Sequence, residues 1–185
     1  MPALYLTLVA VVFAGLGARD QVAVAGLALR QGKRPGLLIV AVLCACLTGA
    51  FAAWLATWML PMLPPPARAI FAGIAIGFAG VESLLLAPRR NPKEPTNSLG
   101  AFALVLIAHQ VTDAARFLIF GLSVGMAAPV ASGAGGVLGG AALVAFAWGW
   151  PEFFERPAAR RARRIVGALL VLVALTMFLS EFGIL

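Results

Sequence analysis

The chain has 185 residues, 62% of them apolar and 11% charged, with a mean hydropathy of +1.00. A soluble domain is roughly 45–50% apolar and about 25% charged, so a soluble globule is excluded and an all-α membrane protein is expected. The formal net charge of +7 sits in short segments between apolar runs. That placement reads as membrane topology rather than as a nucleic-acid surface.

Six apolar runs follow one another: Pro2–Leu29, Pro35–Leu63, Ala69–Leu86, Leu99–Met126, Pro129–Trp150 and Ile165–Leu185. Each approaches or exceeds the ~20 residues that cross a hydrocarbon core as a helix. The period-two alternation of a transmembrane β-barrel is missing. The first run has no Lys or Arg ahead of it, so it reads as a span rather than as a cleavable signal. Arg30, Lys33 and Arg34 follow the first run, Arg89, Arg90 and Lys93 the third, and Arg156, Arg160, Arg161, Arg163 and Arg164 the fifth. Only Arg68 lies in the loops on the other side. The positive-inside rule then places the basic loops in the cytoplasm and both termini outside, as in a bacterial inner-membrane protein. Trp54, Trp58, Trp148 and Trp150 mark the ends of the second and fifth runs, as interfacial belts do. Cys44 and Cys46 are two apart on one helix and point apart, so neither a disulfide nor a shared metal is expected.

Two runs carry ionisable groups in their middle: "GLGARDQ" (Gly15 to Gln21) and "AHQVTDAAR" (Ala108 to Arg116). Charges at such depth face a partner or a cavity and default to function. An offset of 95 residues relates the two stretches. It lays "GLALR" (Gly26 to Arg30) on "GLSVG" (Gly121 to Gly125) and "ARAI" (Ala67 to Ile70) on "ARRI" (Ala162 to Ile165). With three spans per copy the halves must be inverted, an arrangement common in secondary transporters, whose sites lie at interrupted helices near the midplane. The expected organisation is a first three-helix repeat over 1–87, a cytoplasmic linker over 88–98 and a second three-helix repeat over 99–185. Gly15 and Gly17 would loosen the first helix and offer carbonyls.

These stretches resemble the Gdt-type membrane proteins, relatives of transmembrane protein 165 in the lysine-exporter superfamily. In that family each inverted half carries E-x-G-D-[KR]-[ST] on its first helix. "GLGARDQVAVAGLALRQGKRP" follows the frame down to the proline that opens the next helix, and "QVTDAARFLIFGLSV" follows it in the second half. The resemblance implies exchange of manganese or calcium for protons, with the motif acids binding the cation. The chain departs from the motif: Gly15 and Ala18 stand at the first-copy Glu and Asp positions, and Gln110, Thr112, Ala114 and Ala115 replace four second-copy residues. Asp113 keeps the acid, Gly17 the glycine and Arg19 the basic position, while Asp20 stands where Ser or Thr is usual.

A hard dication takes six or more oxygens. Those on offer are Asp20 and Asp113, which are the candidate metal ligands, with Gln110, Thr112 and backbone carbonyls at Gly15 and Gly17. Arg19 and Arg116 bring two positive charges as counter-ions. The same residues also suit a set of ion pairs: Asp113 with Arg116 one helical turn away, or, across the interface, Asp20 with Arg116 and Arg19 with Asp113. His109 is either a proton relay or a neutral core histidine. Glu82 is either a gate at a cavity entrance or a solvated helix-end carboxylate. "GLSVG" matches G-x-S-x-G, but that motif works on a strand-to-helix turn, so no enzyme is expected. The expected function is a small secondary transporter, with Mn2+, Ca2+ or H+ as transported species and no cofactor. The alternative is a non-transporting scaffold or partner subunit on the same fold. The expected partners are the lipid bilayer, the transported ion or small solute, and a second copy in a homo-oligomer; no nucleic acid is expected.

Overall fold

A computed structural model describes residues 1–86 and 98–185. Arg89, Arg90, Lys93 and, but for Ser98, the linker expected over 88–98 lie outside the described residues. Among the described residues the fold is helical, without strands. In chain order the helices are α1 (Pro2–Gly15), α2 (Arg19–Gln31), α3 (Pro35–Met59), α4 (Pro65–Leu85), α5 (Leu99–Val111), α6 (Ala114–Gly125), α7 (Pro129–Gly149), α8 (Pro151–Glu155) and α9 (Pro157–Glu181).

Proline opens α1, α3, α4, α7, α8 and α9. It has no amide hydrogen to leave unpaired there, and its fixed φ suits a first helical turn. The helices α3, α4, α7 and α9 are each long and apolar enough to cross a membrane, and six spans result if α1–α2 and α5–α6 each count as one. Those pairs bend by 62° and 52°. At 1.5 Å per residue the 14 residues of α1 reach about 21 Å, short of a hydrocarbon core of about 30 Å. Neither half of a bent pair spans alone.

Gly17 makes the first bend, with φ of +79°. Its amide donates to Gln21 Oε1 at 2.9 Å, while the Gly15 carbonyl accepts from the Ala18 amide at 2.9 Å. At the second bend Thr112 leaves the helix and Asp113 caps α6, its Oδ2 accepting from the Ala115 amide at 3.4 Å. Arg68 ties off the end of α3 and the 3-10 turn after it, donating to the Leu63 carbonyl at 2.9 Å and the Leu60 carbonyl at 3.1 Å.

The bundle closes by packing α4 along α9, α1 and α3 along α7, and α6 against α4. Glycine permits the closest approaches. A Cβ at Gly135 would collide with the Leu4 carbonyl of α1, and one at Gly136 with Ile119 of α6. Where α4 meets α9, a Cβ at Gly80 would lie 2.8 Å from the Gly167 carbonyl. Small residues at helix contacts are the usual solution where lipid and side chains are equally apolar. Outward faces stay greasy: Ile39, Leu43 and Leu47 form an exposed stripe on α3, and Ile165, Leu169 and Leu172 one on α9. Such faces suit a lipid bilayer, and the chain reads as an integral membrane protein.

The last span begins earlier than hydropathy indicates. It opens at Pro157 rather than Ile165, so Arg160, Arg161, Arg163 and Arg164 ride on the first turns of α9 instead of in a loop.

Candidate functional site

Both bends open onto the helix interface. Asp20 stands in the first turn of α2 and Asp113 caps α6, so each acid meets the positive end of a half-helix. Each is only 2% exposed. The bends are tied directly to each other. Arg19 Nη2 donates to Thr112 Oγ1 at 2.9 Å and to the Thr112 carbonyl at 3.2 Å, and Gln110 Nε2 donates to Asp20 Oδ2 at 3.1 Å. Asp20 Oδ1 accepts from the Gln21 amide at 2.8 Å.

From Gln110 the polar chain continues across α3. Thr48 Oγ1 lies 3.1 Å from Gln110 Oε1 and 2.8 Å from the Cys44 carbonyl. The same oxygen accepts from Arg116 Nε at 3.0 Å and Nη2 at 2.8 Å. Arg116 Nη1 then lies 4.0 Å from Asp113 Oδ2. Asp20, Gln110, Thr48, Arg116 and Asp113 therefore form one buried sequence of contacts through α2, α5, α3 and α6. Gly140 of α7 lies beside the Arg116 guanidinium, where an added Cβ would make only ordinary contact with its two terminal nitrogens at 3.9 Å.

A second cluster adjoins the first. Glu82 of α4 is buried, not solvated. Its Oε2 accepts from Arg163 Nη2, and its Oε1 lies 3.5 Å from Arg19 Nε. Arg163 Nη2 is also 3.8 Å from Asp113 Oδ1. Three acids (Asp20, Glu82, Asp113) and three arginines (Arg19, Arg116, Arg163) thus meet in one core. Removing one member of such a set leaves its partner as an uncompensated buried charge, which is far costlier than never having built the pair.

Of the residues singled out from sequence, Asp20, Gln110, Thr112, Asp113, Arg19, Arg116 and Glu82 come together. Asp20 meets Gln110 instead of Arg116, and Arg19 meets Glu82 and Thr112 instead of Asp113. Gly15 and Gly17 shape the bend, and the Gly15 carbonyl is taken up in its turn. His109 sits half-buried in the last turn of α5. Sequence reasoning missed Thr48, Gln21 and Arg163 as members. Gln21 lay within the quoted stretch. Arg163 had a signal in the match of "ARAI" to "ARRI", which pairs it with Arg68. Thr48 is a lone hydroxyl in an apolar run, and nothing local distinguishes it.

As a ligand set, Asp20 has both oxygens engaged. Asp113 Oδ1 and Glu82 Oε1 are buried and accept no hydrogen bond. Among the described residues no three of His, Cys, Asp and Glu converge as a metal cage. A crevice of about 160 Å³ between α3 and α6 has Thr48 and Arg116 on its wall, with Phe51, Leu55, Val111 and Phe120 lining the rest. The chain matches no protein-family model, and comparison with curated proteins and with solved structures finds no significant match either.

Proposed function

We propose that the chain is a small secondary transporter that moves a cation, in exchange for protons, through the site at the two helix breaks. The supporting observation is that both broken helices turn their breaks to each other and are cross-linked there, Arg19 to Thr112 at 2.9 Å and Gln110 to Asp20 at 3.1 Å. Broken helices meeting in the bundle core, with ionisable groups on the broken ends, are the usual construction of a transport site. The order of bent pair, long helix, long helix also occurs twice, and the second half-helices begin at Arg19 and Ala114, 95 residues apart. That agrees with two inverted three-helix repeats and with the resemblance to the Gdt-type family. Asp113 is the principal acid in this reading, Asp20, Gln110 and Thr112 assist it, and Arg19 and Arg116 are counter-ions. The basic loops face the cytoplasm and both termini face outward, as in a bacterial inner membrane.

The ion pairs are closed around Asp20 and Asp113, each 2% exposed, which suits a state of the transport cycle in which the two acids are shut off from water. The same closure supports a second reading, a non-transporting scaffold whose balanced charges serve only to hold the helices. Proteoliposomes decide between them. With a pH-sensitive dye inside, an imposed gradient of Mn2+, Ca2+ or a monovalent cation is expected to drive proton movement, and Asp113→Asn to abolish it. A wild-type protein that moves neither protons nor any of these cations rejects transport in favour of the scaffold.

A further inference from the structure

The stretch "WPEFFERP" (Trp150 to Pro157) joins α7 to α9, and the transport reading makes no use of it. A residue ahead of proline is driven out of the helical region. Trp150 accordingly leaves α7 with φ of −127° and ψ of 63°, and Arg156 leaves α8 in extended backbone with φ of −70° and ψ of 141°. In an unbroken helix Glu152 and Arg156 would share a face four residues apart, in the order that favours an ion pair. Pro157 breaks that relation. Both side chains are exposed, and among the described residues neither makes an ion pair or a side-chain hydrogen bond.

The two charges nevertheless line one pocket of about 310 Å³, together with Phe146, Trp150 and Phe153. Small-molecule pockets begin at roughly 300 Å³. The aromatic wall is fixed from behind: the Phe146 ring centre lies 5.8 Å from Trp150, 5.4 Å from Phe153 and 5.6 Å from Phe154, and Phe154 is buried in the core. Neighbouring donors are engaged elsewhere. Lys33 Nζ donates to the Gly149 carbonyl at 2.7 Å, and Trp148 Nε1 to the Arg34 carbonyl at 3.2 Å. Trp150 Nε1 has no acceptor among the described residues, and its ring is 65% exposed.

The pocket lies at the end of α7, which is long and apolar enough to cross a membrane, next to the arginine-rich start of α9. Tryptophan at such a place marks the headgroup level of a bilayer. A site for a plain anion gains nothing from Glu152, and a site for a plain cation gains nothing from Arg156. A zwitterion with phosphate and ammonium a short link apart satisfies both. The guanidinium fork matches a phosphate. A primary ammonium can donate to the carboxylate and lie against the rings, whereas a quaternary one has no hydrogen to donate. We propose that this pocket binds a phospholipid of the ethanolamine type from the leaflet at the basic end of the bundle. Arg156 takes the phosphate, Glu152 the ammonium, and Trp150 the glycerol region, its Nε1 donating to an ester oxygen. The inference stands apart from the transport reading.

Native mass spectrometry of the full chain in lipid-free detergent tests it, with phosphatidylethanolamine, phosphatidylcholine and phosphatidylglycerol of identical acyl chains. Wild type is expected to take up one phosphatidylethanolamine about fivefold more tightly than either other lipid, the worth of one exposed charge pair. Glu152→Gln should bring phosphatidylethanolamine down to the level of phosphatidylcholine. Arg156→Gln should weaken all three. Glu152→Lys should turn the preference to phosphatidylglycerol, a gain that a misfolded protein would not show. Arg161→Gln, on an exposed turn of α9 away from the pocket, should keep the wild-type preference. Equal uptake of the three lipids by wild type overturns the proposal. So does a wild-type preference for phosphatidylglycerol, which would mean that the arginines merely attract anionic lipid, or a preference for phosphatidylethanolamine that survives Glu152→Gln.

Discussion

Thr48 gathers more of the core than any acid does. One hydroxyl oxygen accepts two donors from Arg116 and lies within hydrogen-bond reach of Gln110 and the Cys44 carbonyl. Thr48→Val preserves shape and removes that acceptor, leaving Arg116 with the Ala45 carbonyl at 3.5 Å and Asp113 at 4.0 Å. A buried charged donor left unmatched costs about 1–3 kcal/mol, so the variant is expected to melt well below wild type in detergent, with Thr48→Ser close to wild type. Asp113→Asn is expected to lose about 3 kcal/mol, because Arg116 and Arg163 both lose an anion in a dry layer. Combining it with Arg116→Gln should recover part of the loss. If the double variant melts at the sum of the singles, the two residues are not coupled.

Glycine sets the geometry of the elements. At Gly135 there is no room for a side chain between α7 and the Leu4 carbonyl, whereas at Gly149 nothing lies within 4 Å of an added Cβ. Gly135→Ala should separate α1 from α7 and cost about 1–3 kcal/mol as overpacking does, and Gly149→Ala should be nearly silent. Gly17→Ala combines a left-handed backbone with a Cβ placed 3.3 Å from the Ala159 carbonyl. Its expected cost is about 1–2 kcal/mol, carried by the bend that positions Arg19 and Asp20. Gly26 sits inside α2 with open space around it. Gly26→Ala should therefore raise the melting temperature, by roughly the 0.8–1 kcal/mol of helix propensity. Thermal unfolding of the four variants in one detergent checks the order.

For the whole molecule the first question is orientation. If the basic loops are cytoplasmic, a reporter that fluoresces only in the cytoplasm stays dark when fused at Leu185 and is bright when inserted over 89–96. A bright fusion at Leu185 rejects the six-span assignment. Access to the site is the second question. Thr112 is exposed on the bundle while Leu118, two turns along, is 1% exposed. In a background lacking Cys44 and Cys46, a cysteine at Thr112 should react with a small water-soluble thiol reagent in membranes, at a rate that changes with pH or cation. A cysteine at Leu118 should not react. Equal inertness at both positions under every condition means that the break faces lipid or is sealed, and the scaffold reading then stands.

The membrane class, the starts of α1, α3, α5 and α7 and the interruption of two spans at their polar stretches were determined by the sequence itself. Each follows from short-range rules: apolar runs long enough to cross, proline at a first turn, and glycine or a polar cluster where an apolar helix is interrupted. The relation between "GLGARDQ" and "AHQVTDAAR" was visible for the same reason, as a spacing along the chain. Only the tertiary structure decided who pairs with whom. Arg163 reads as one more loop charge in sequence, yet the early start of α9 carries it inward to Glu82 and Asp113. Glu82 reads equally well as a gate at a cavity entrance or as a solvated helix end until Arg163 of α9 pairs with it. Thr48 becomes a hub because α3 is rotated to face Arg116. Pairing in a core depends on the rotation of each helix about its axis and on the reach of long side chains, and neither is encoded within the few residues that decide where a helix begins and ends.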